Sequence, residues 1–345
     1  MLQQMVLAKG PGGYFLKDSA HWCERTALEF QPYFEGESVV ETWPWAWTCP
    51  VEISVMLNAL VILVLLPVTG LFLGWLPWAE ENSSFATLLA ATVMIILASL
   101  LVSAWINVEK SSAGAAHSLL WRPLTINLLL LALLLAYHRY DDGVHPVLTV
   151  VVGAVMLSSA SLLGIVTARG LKHPTELIPV CVVAAWADLC SITAGPTHAM
   201  VGKITDYYSS GQQGPAPLAD ALLIKTLVPR SALPVPLFGV ADWIIVAFLS
   251  AALVRLKLCP GPELAQFSIG AWLPFKYVHV APLSLWLALT CAHLSGRFIP
   301  ALVPICAFVL IWVLVRYPQS RRLSRRELLL TGLFPLLMTL GVTLL

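Results

Sequence analysis

Long apolar runs recur along most of the chain, and short polar or charged segments separate one run from the next. A helix needs about 20 mainly apolar residues to cross the hydrocarbon core of a bilayer. The runs therefore predict an all-α fold, a polytopic membrane helix bundle of about nine transmembrane helices. The predicted spans are 53–78, 86–108, 118–138, 146–168, 175–195, 235–256, 270–293, 298–316 and 328–345.

Composition indicates the same class of protein. Of the 345 residues, 58% are apolar and 11% are charged, whereas soluble domains carry about 25% charged residues. The net charge of +1 produces no field that would gather phosphates. A cytosolic enzyme and a nucleic-acid binder are therefore excluded, and the lipid bilayer is the expected partner. Seven cysteines without a Cys-x-x-Cys pair indicate neither a disulfide framework nor a zinc site.

Four segments divide the chain. Residues 1–50 form an amphipathic, aromatic-rich N-terminal region whose tryptophans we expect at the lipid headgroups, with a separate binding domain as the alternative. Residues 51–174 hold N-terminal transmembrane helices, 175–316 hold the core with the candidate site, and 317–345 hold a basic loop and the final helix. Within the core, 196–234 is rich in Gly, Pro, Ser and Gln, and loops of this length are usually functional or disordered.

Lysine and arginine in short loops indicate the orientation in the membrane, because such loops stay on the cytoplasmic side. The loop 316–326 carries five arginines, so we expect it inside the cell. Counting spans backwards places Arg255, Arg169 and the N-terminus on the cytoplasmic side as well. The chain is thus predicted to be an integral, multi-pass membrane protein whose 196–234 loop lies outside.

Two aspartates lie inside predicted spans, whereas the other acidic residues lie in the N-terminal region, in loops or near span ends. An aspartate within a span costs about 2.5–3.5 kcal/mol and marks a functional site by default. Asp188 lies about seven residues before the end of one predicted span, and Asp242 about seven residues after the start of the next. At 1.5 Å per residue, both are about 10 Å from the same membrane face. The two carboxylates are therefore predicted to share one site.

Two carboxylates in a site of low dielectric constant do not both ionise readily, so they share a proton. One then acts as a base toward water, and the other protonates a carbonyl oxygen or a leaving amine. This chemistry needs neither a metal nor a nucleophilic serine. The same residues also fit a hydrogen-bonded structural pair or a proton or cation site in an ion-coupled transporter, so the residues alone leave three functions open.

Three motifs around these aspartates resemble those of presenilins and signal peptide peptidases, which are intramembrane aspartyl proteases. Asp188–Pro196, with its Asp-Leu start and Gly-Pro end, is similar to the first catalytic segment of that family. Gly239–Asp242 resembles the Gly-x-Gly-Asp motif, and Pro300–Leu302 resembles the Pro-Ala-Leu motif of the last core helix. All three occur in the family's order. Two departures are Ala187, where the family has a tyrosine, and Ala241, where it has the second glycine.

The resemblance implies a presenilin-like bundle that hydrolyses peptide bonds within transmembrane segments or remnant signal peptides, without a cofactor or metal. It implies catalytic roles for Asp188 and Asp242. It also implies substrate-binding roles for Gly239, Ala241, Pro300, Ala301 and Leu302. The implied partners are transmembrane-segment peptides, which must unwind before cleavage. We expect them to add as a strand to the backbone of the 196–234 loop.

Other functions stay open beside this one. Prepilin peptidases also use a Gly-x-Gly-Asp motif but lack Pro-Ala-Leu, so Pro300–Leu302 argue against them. A catalytically silent relative that binds membrane spans fits the same residues, and so does an ion-coupled transporter. Proton- or sodium-dependent flux without peptide cleavage would distinguish a transporter from a protease.

Overall fold

The computed structural model describes most of the chain after residue 49. The described stretches are 50–75, 83–111, 116–140, 145–193, 195–212, 216–228, 233–258, 280–295 and 299–344, with the short segments 8–10, 13–15, 267–268 and 274–275. The chain divides into two compact units, Met1–Thr48 and Cys49–Leu345. In the first unit, strand β1 (Ala8–Gly10) pairs antiparallel with strand β2 (Gly13–Phe15). The tryptophans predicted at the lipid headgroups lie outside the described residues.

The second unit is built mainly from helices. In chain order they are α1 (Pro50–Trp75), α2 (Ser83–Ser111), α3 (Ala116–Tyr140), α4 (Pro146–Ala168), α5 (Leu177–Thr193), α6 (Pro196–Ser209), α7 (Val240–Arg255), α8 (Val280–Ser295), α9 (Leu302–Arg316) and α10 (Arg325–Leu344). The described strands of this unit are β3 (Leu223–Thr226), β4 (Val235–Gly239), β5 (Phe267–Ser268) and β6 (Pro274–Phe275). The fold is thus mostly helical, as the hydrophobic pattern predicts, but it also contains short strands.

Several helices are of the kind found in membranes. Four described segments are long and apolar enough to cross a bilayer: Phe85–Glu109, Leu120–Tyr137, Pro146–Ala168 and Pro174–Thr193. Shorter apolar helices cover Ala59–Phe72, Val280–Ser295 and Leu302–Arg316. Helices α1, α3 and α10 also expose many large apolar side chains, and exposed apolar surface on this scale marks contact with a membrane or another protein. The coarse prediction of a helical membrane protein is therefore confirmed.

Helix α4 lies at the centre of the second unit. It packs on α1, α2, α3, α7 and β3, and most of its side chains are buried. The closest approach is to α7, because a Cβ at Gly164 would lie only 2.6 Å from the carbonyl oxygen of Ile244. Small residues allow membrane helices to approach in this way. Helix α7 is therefore held directly against the most buried helix of the protein.

Helix α5 has different neighbours. It packs chiefly on α9 and α10, whereas α7 packs chiefly on α4 and α8. Helix α9 also packs on α8 and contacts α7, so it connects α5 to the rest of the bundle. Cys181 of α5 and Cys306 of α9 are both fully buried. The helices that carry the two candidate aspartates thus belong to different packing groups.

Charged side chains collect at one end of the bundle. Glu109, near the end of α2, accepts hydrogen bonds from Arg169 Nε at 2.8 Å and from Arg255 Nη1 at 3.4 Å. Arg169 follows α4 and Arg255 ends α7. The C-terminal ends of α2, α4 and α7 therefore lie together, as the alternation of basic loops predicts.

Three of the predicted spans begin too early. The segment predicted from residue 235 starts as β4, and α7 begins only at Val240. The segment predicted from residue 270 contains β6, and α8 begins at Val280. The segment predicted from residue 298 becomes helical only at Leu302. Proline lacks a backbone N–H and disfavours helical geometry in the residue before it, and the three early starts contain Pro236, Pro274 and Pro300.

The 196–234 segment is more structured than its composition predicts. It holds α6, a short 3-10 helix (Leu218–Leu222) and β3. Strand β3 pairs antiparallel with β4, and Leu223 lies opposite Gly239 in this pairing. The expectation of a purely α-helical protein is corrected here, because an apolar run alone does not distinguish a short strand from the start of a buried helix.

Candidate active site

Asp242 lies in the first turn of α7. Its Oδ2 accepts a hydrogen bond at 3.1 Å from the backbone N–H of Gly239, the residue just before the helix. The first N–H groups of a helix lack partners within it, and an acid at the third helical position can reach back to the residue that caps the helix. A Cβ at position 239 would lie 3.2 Å from Asp242 Oδ2. Glycine at this position therefore leaves room for the carboxylate.

The neighbours of Asp242 anchor it to the core. Trp243 is fully buried, and its indole Nε1–H donates to Ser161 Oγ of α4 at 2.9 Å. Phe238 is buried in β4, and its ring centroid lies 5.9 Å from that of Trp243. Asp242 is thus held from one side by the α4–α7 contact and from the other by β4.

Asp188 lies on α5, between one and two turns before the helix ends at Thr193. Its Oδ2 accepts a hydrogen bond at 3.0 Å from the backbone N–H of Leu302. Leu302 is the first residue of α9, so its N–H is one of the donors that a helix N-terminus leaves unpaired. The helix dipole also favours negative charge at this end. The Pro-Ala-Leu segment therefore supplies a backbone donor to the first aspartate.

The structure brings the two aspartates to one place. The carboxyl groups of Asp188 and Asp242 are near enough to interact electrostatically, and both residues are partly buried. Each is held by a backbone N–H next to a helix start. The two come from separate packing groups, so the site lies where those groups meet.

The other residues predicted at the site are distributed around the aspartates. Gly239 and Leu302 contact the carboxylates through their backbone N–H groups. Ala301 packs against the core, and Pro300 lies partly buried just before it. Ala241 is exposed beside Asp242. Asp242 is not seven residues into its helix as predicted, because α7 begins at Val240 and not near residue 235.

A β-hairpin in front of Asp242 is a feature that the sequence interpretation missed. Its strands β3 and β4 are shifted in register between Ile224 and Lys225. Strand β3 lies close to α4 and α1, since a Cβ at Gly153 would lie 3.2 Å from the carbonyl oxygen of Lys225 and one at Gly70 would lie 3.2 Å from Thr226 Oγ1. The sequence did contain a signal for this hairpin, because two short β-prone runs, 223–226 and 235–239, lie on either side of a proline-containing connection.

A third acidic residue is buried more deeply than either aspartate of the candidate pair. Asp220, in the 3-10 helix, is 4% exposed, although the sequence interpretation placed it in a loop. Its Oδ1 accepts a hydrogen bond from the Tyr208 hydroxyl at 2.7 Å, and its Oδ2 pairs with the Lys225 ammonium. Burial of the ring, together with the hydrogen bond to Asp220, raises the pKa of the Tyr208 phenol. Buried charges of this kind are normally paired.

The arrangement at the aspartates suits acid–base chemistry. Within the described stretches, His, Cys, Asp and Glu do not form a group of three that could hold a metal ion. Two neighbouring carboxyl groups can share one proton, with one accepting a proton from water while the other donates one. The site is therefore equipped to activate a water molecule with its own side chains.

Comparison of the chain with models of protein families, with curated proteins and with solved structures gives no match. A functional interpretation therefore depends on the three motifs and on the geometry around the two aspartates.

Proposed function

We propose that this chain is an intramembrane aspartyl protease with a presenilin-like bundle of about nine membrane spans. The observation that carries the proposal is the meeting of Asp188 and Asp242, each bound by a backbone N–H of a neighbouring family-like motif. We further propose that the N-terminus is cytoplasmic and that the aspartates open toward the opposite face.

The proposed reaction is hydrolysis of a peptide bond, in which the two aspartates exchange protons with water and with the substrate. The ionised carboxylate accepts a proton as the oxygen of water bonds to the scissile carbonyl carbon, while the protonated carboxyl gives its proton to the carbonyl oxygen. The resulting diol then collapses. The amide nitrogen receives a proton from the carboxyl group as the C–N bond breaks, and one hydroxyl of the diol gives its proton to the other carboxylate, which returns the pair to its singly protonated state. Either Asp188 or Asp242 fits the role of base.

The hairpin offers a way to hold the substrate. A peptide bond within a helix is shielded, so a transmembrane segment must be extended before cleavage. The β3–β4 sheet has two strands, so each strand has an edge that pairs with no other described strand. An extended peptide can add to such an edge through backbone hydrogen bonds. Because β4 leads through Gly239 into α7, a peptide added there lies next to Asp242.

The different packing groups of α5 and α7 suit a bulky substrate. Helix α5 reaches α7 mainly through α9, so the two aspartates approach each other across a boundary between groups. A substrate segment that enters at this boundary meets both carboxylates. The polar chemistry then takes place between helices and away from lipid, where buried ionisable groups are tolerated.

The test is cleavage of single-span peptides by the purified protein in liposomes. Asp188→Asn and Asp242→Asn keep the side-chain shape but remove the carboxylate, and each is expected to lower kcat by at least about 1,000-fold. Asp206→Asn is the matched control, because Asp206 is an exposed aspartate of α6 and its loss should leave kcat unchanged. Cleavage should also be blocked by a hydroxyl-containing transition-state analogue.

Two results would contradict the proposal. One is cleavage that survives in both Asn variants. The other is an inactive wild-type chain that binds no analogue but carries a proton- or sodium-dependent flux lost in Asp188→Asn. The second result would assign the aspartates to an ion-coupled transporter.

A further inference from the structure

Three polar residues form a buried network beside the candidate active site. Asp220 accepts a hydrogen bond from the Tyr208 hydroxyl at 2.7 Å and pairs with Lys225 through its other oxygen. The side chains of Asp220 and Lys225 are 6% and 13% exposed. The proposed reaction uses neither charge. Taking such a pair out of water is costly. Its presence here therefore indicates that the pair has a role in the structure or in the function.

The network joins the two parts of the chain that lead to the aspartates. Tyr208 lies near the end of α6, which follows α5 and Asp188. Lys225 lies on β3, whose partner strand β4 leads into Asp242. Asp220 lies between them in the 3-10 helix. Through this carboxylate, the segment behind one aspartate is tied to the segment in front of the other.

Lys225 also lies where the hairpin register is irregular. The pairing of β3 with β4 shifts between Ile224 and Lys225, and Leu223, the first residue of β3, lies opposite Gly239, the last residue of β4. A bulge locally disrupts the ladder of hydrogen bonds, and a one-residue slip would turn the side chains of the strand to the opposite face. A slip would also change the partner of Gly239, whose N–H donates to Asp242 Oδ2. Pairing of Lys225 with a fixed, buried Asp220 selects one register.

We propose that Tyr208, Asp220 and Lys225 are positioning residues that fix the register of β3 on β4 and thereby set the Gly239 N–H against Asp242. The inference depends on the proposed protease function for its effect on the reaction, but its effect on the hairpin is independent of that function. Buried polar groups that specify register are the best attested use of such pairs.

The experiment compares Lys225→Met with Lys203→Met in the full-length protein in liposomes. Lys203 is an exposed lysine of α6 and serves as the matched control. Cleavage is measured per active site, after titration with a transition-state analogue, so that misfolded protein is not counted. We expect Lys225→Met to lower kcat about tenfold with KM changed less than about threefold, since small misplacements of a reacting group cost this much. Lys225→Arg, which keeps the charge, should restore most of the rate.

A second measurement does not depend on activity. Hydrogen exchange of peptides that cover 223–239 should become faster in Lys225→Met and stay unchanged in Lys203→Met. If Lys225→Met fails to fold, the double variant Asp220→Asn with Lys225→Met removes both charges and leaves no uncompensated ion. That double variant should fold, but it should show the fast exchange and the low kcat of the single one.

The outcomes separate this inference from the proposed function. Fast exchange with an unchanged kcat per active site would overturn the positioning role, and so would exchange as slow as that of the control. If the wild-type protein cleaves no peptide, the protease proposal fails. The hydrogen exchange of 223–239 then still decides whether the network fixes the hairpin.

Discussion

Two helices carry the candidate aspartates, and they are held in opposite ways. Helix α7 lies against α4 at Gly164, where backbone atoms of the two helices leave no space for a side chain, and Trp243 is hydrogen-bonded into the same core. Helix α5 has α9 and α10 as its main neighbours, and fewer of its residues are buried than those of α7. Asp242 thus lies on a helix that is mostly buried, and Asp188 lies on a helix with more exposed residues.

Polar contacts compensate for the sparser packing of α5. Trp186 Nε1–H donates to Thr339 Oγ1 of α10 at 3.0 Å, and Thr175, just before α5, donates to Glu327 at the start of α10. Asp188 itself is bound to Leu302. Helix α7 is therefore placed mainly by close packing, whereas directional hydrogen bonds contribute more to the placement of α5. Changes at the two helices should therefore have different consequences.

The largest effect is expected at the α4–α7 contact. Gly164→Val should destabilise the protein by about 3 kcal/mol or prevent folding, because the new side chain meets backbone atoms that cannot move aside. Gly332→Val on α10 is the control, since nothing lies within 4 Å of a Cβ at that position. It should change stability by less than about 0.5 kcal/mol. Thermal unfolding in detergent measures both, and equal melting temperatures would contradict the central role of this contact.

The next effect concerns the reaction and not the fold. Gly239→Ala places a Cβ 3.2 Å from Asp242 Oδ2, so the carboxylate must shift by a few tenths of an ångström. We expect kcat to fall about tenfold while the melting temperature stays within about 2 °C of the wild type. Gly202→Ala, at a position with open space around it, is the control. A wild-type kcat in Gly239→Ala would show that the carboxylate tolerates displacement.

A smaller effect is expected where α10 holds α5. Trp186→Phe removes the indole donor and should lower stability by about 1 kcal/mol. Thr339→Val removes the acceptor, and the double variant should cost less than the sum of the two single variants. Because Trp186 lies close to Asp188 in sequence, kcat should fall several-fold in each variant. Strictly additive losses of stability would show that this hydrogen bond contributes nothing.

The smallest effect is a pH dependence at the start of α10. Hydrogen bonds from Thr175 and from the backbone N–H of Ser324 lower the pKa of Glu327. The stabilisation is therefore complete above the ordinary glutamate pKa of about 4.3 and is lost as the pH falls through the lowered value. Because the group is exposed, the change in melting temperature attributable to it should not exceed about 2 °C. Glu327→Gln should remove this part of the acid response, and an unchanged response would contradict the assignment.

Sequence reasoning was more accurate about which residues lie together than about the bounds of the elements around them. Both aspartates, Gly239 and Leu302 were singled out as site residues, and the structure places these four in contact as two pairs. The sequence did not reveal that Leu302 acts through its backbone N–H, because a side-chain motif says nothing about which main-chain donor it leaves unpaired. It also gave no sign that Asp220 is buried, since its pairing with Tyr208 and Lys225 depends on how this segment folds back on itself.

Hydropathy by itself indicated a mostly helical protein with helices apolar enough to cross a membrane. Asp188 and Asp242, which lie within apolar runs, indicated where its candidate site lies. Both follow from local physics: apolar runs of sufficient length partition into lipid, and an ionisable residue in such a run is too costly to occur without a role. Only the tertiary structure decided that β4 precedes α7, that α5 and α7 pack in separate groups, and that Lys225 meets Asp220. The packing of the helices depends on contacts between residues far apart in the chain. The Asp220–Lys225 pair is local in sequence, but it depends on how the 3-10 helix and β3 fold, and a linear pattern of hydropathy records neither.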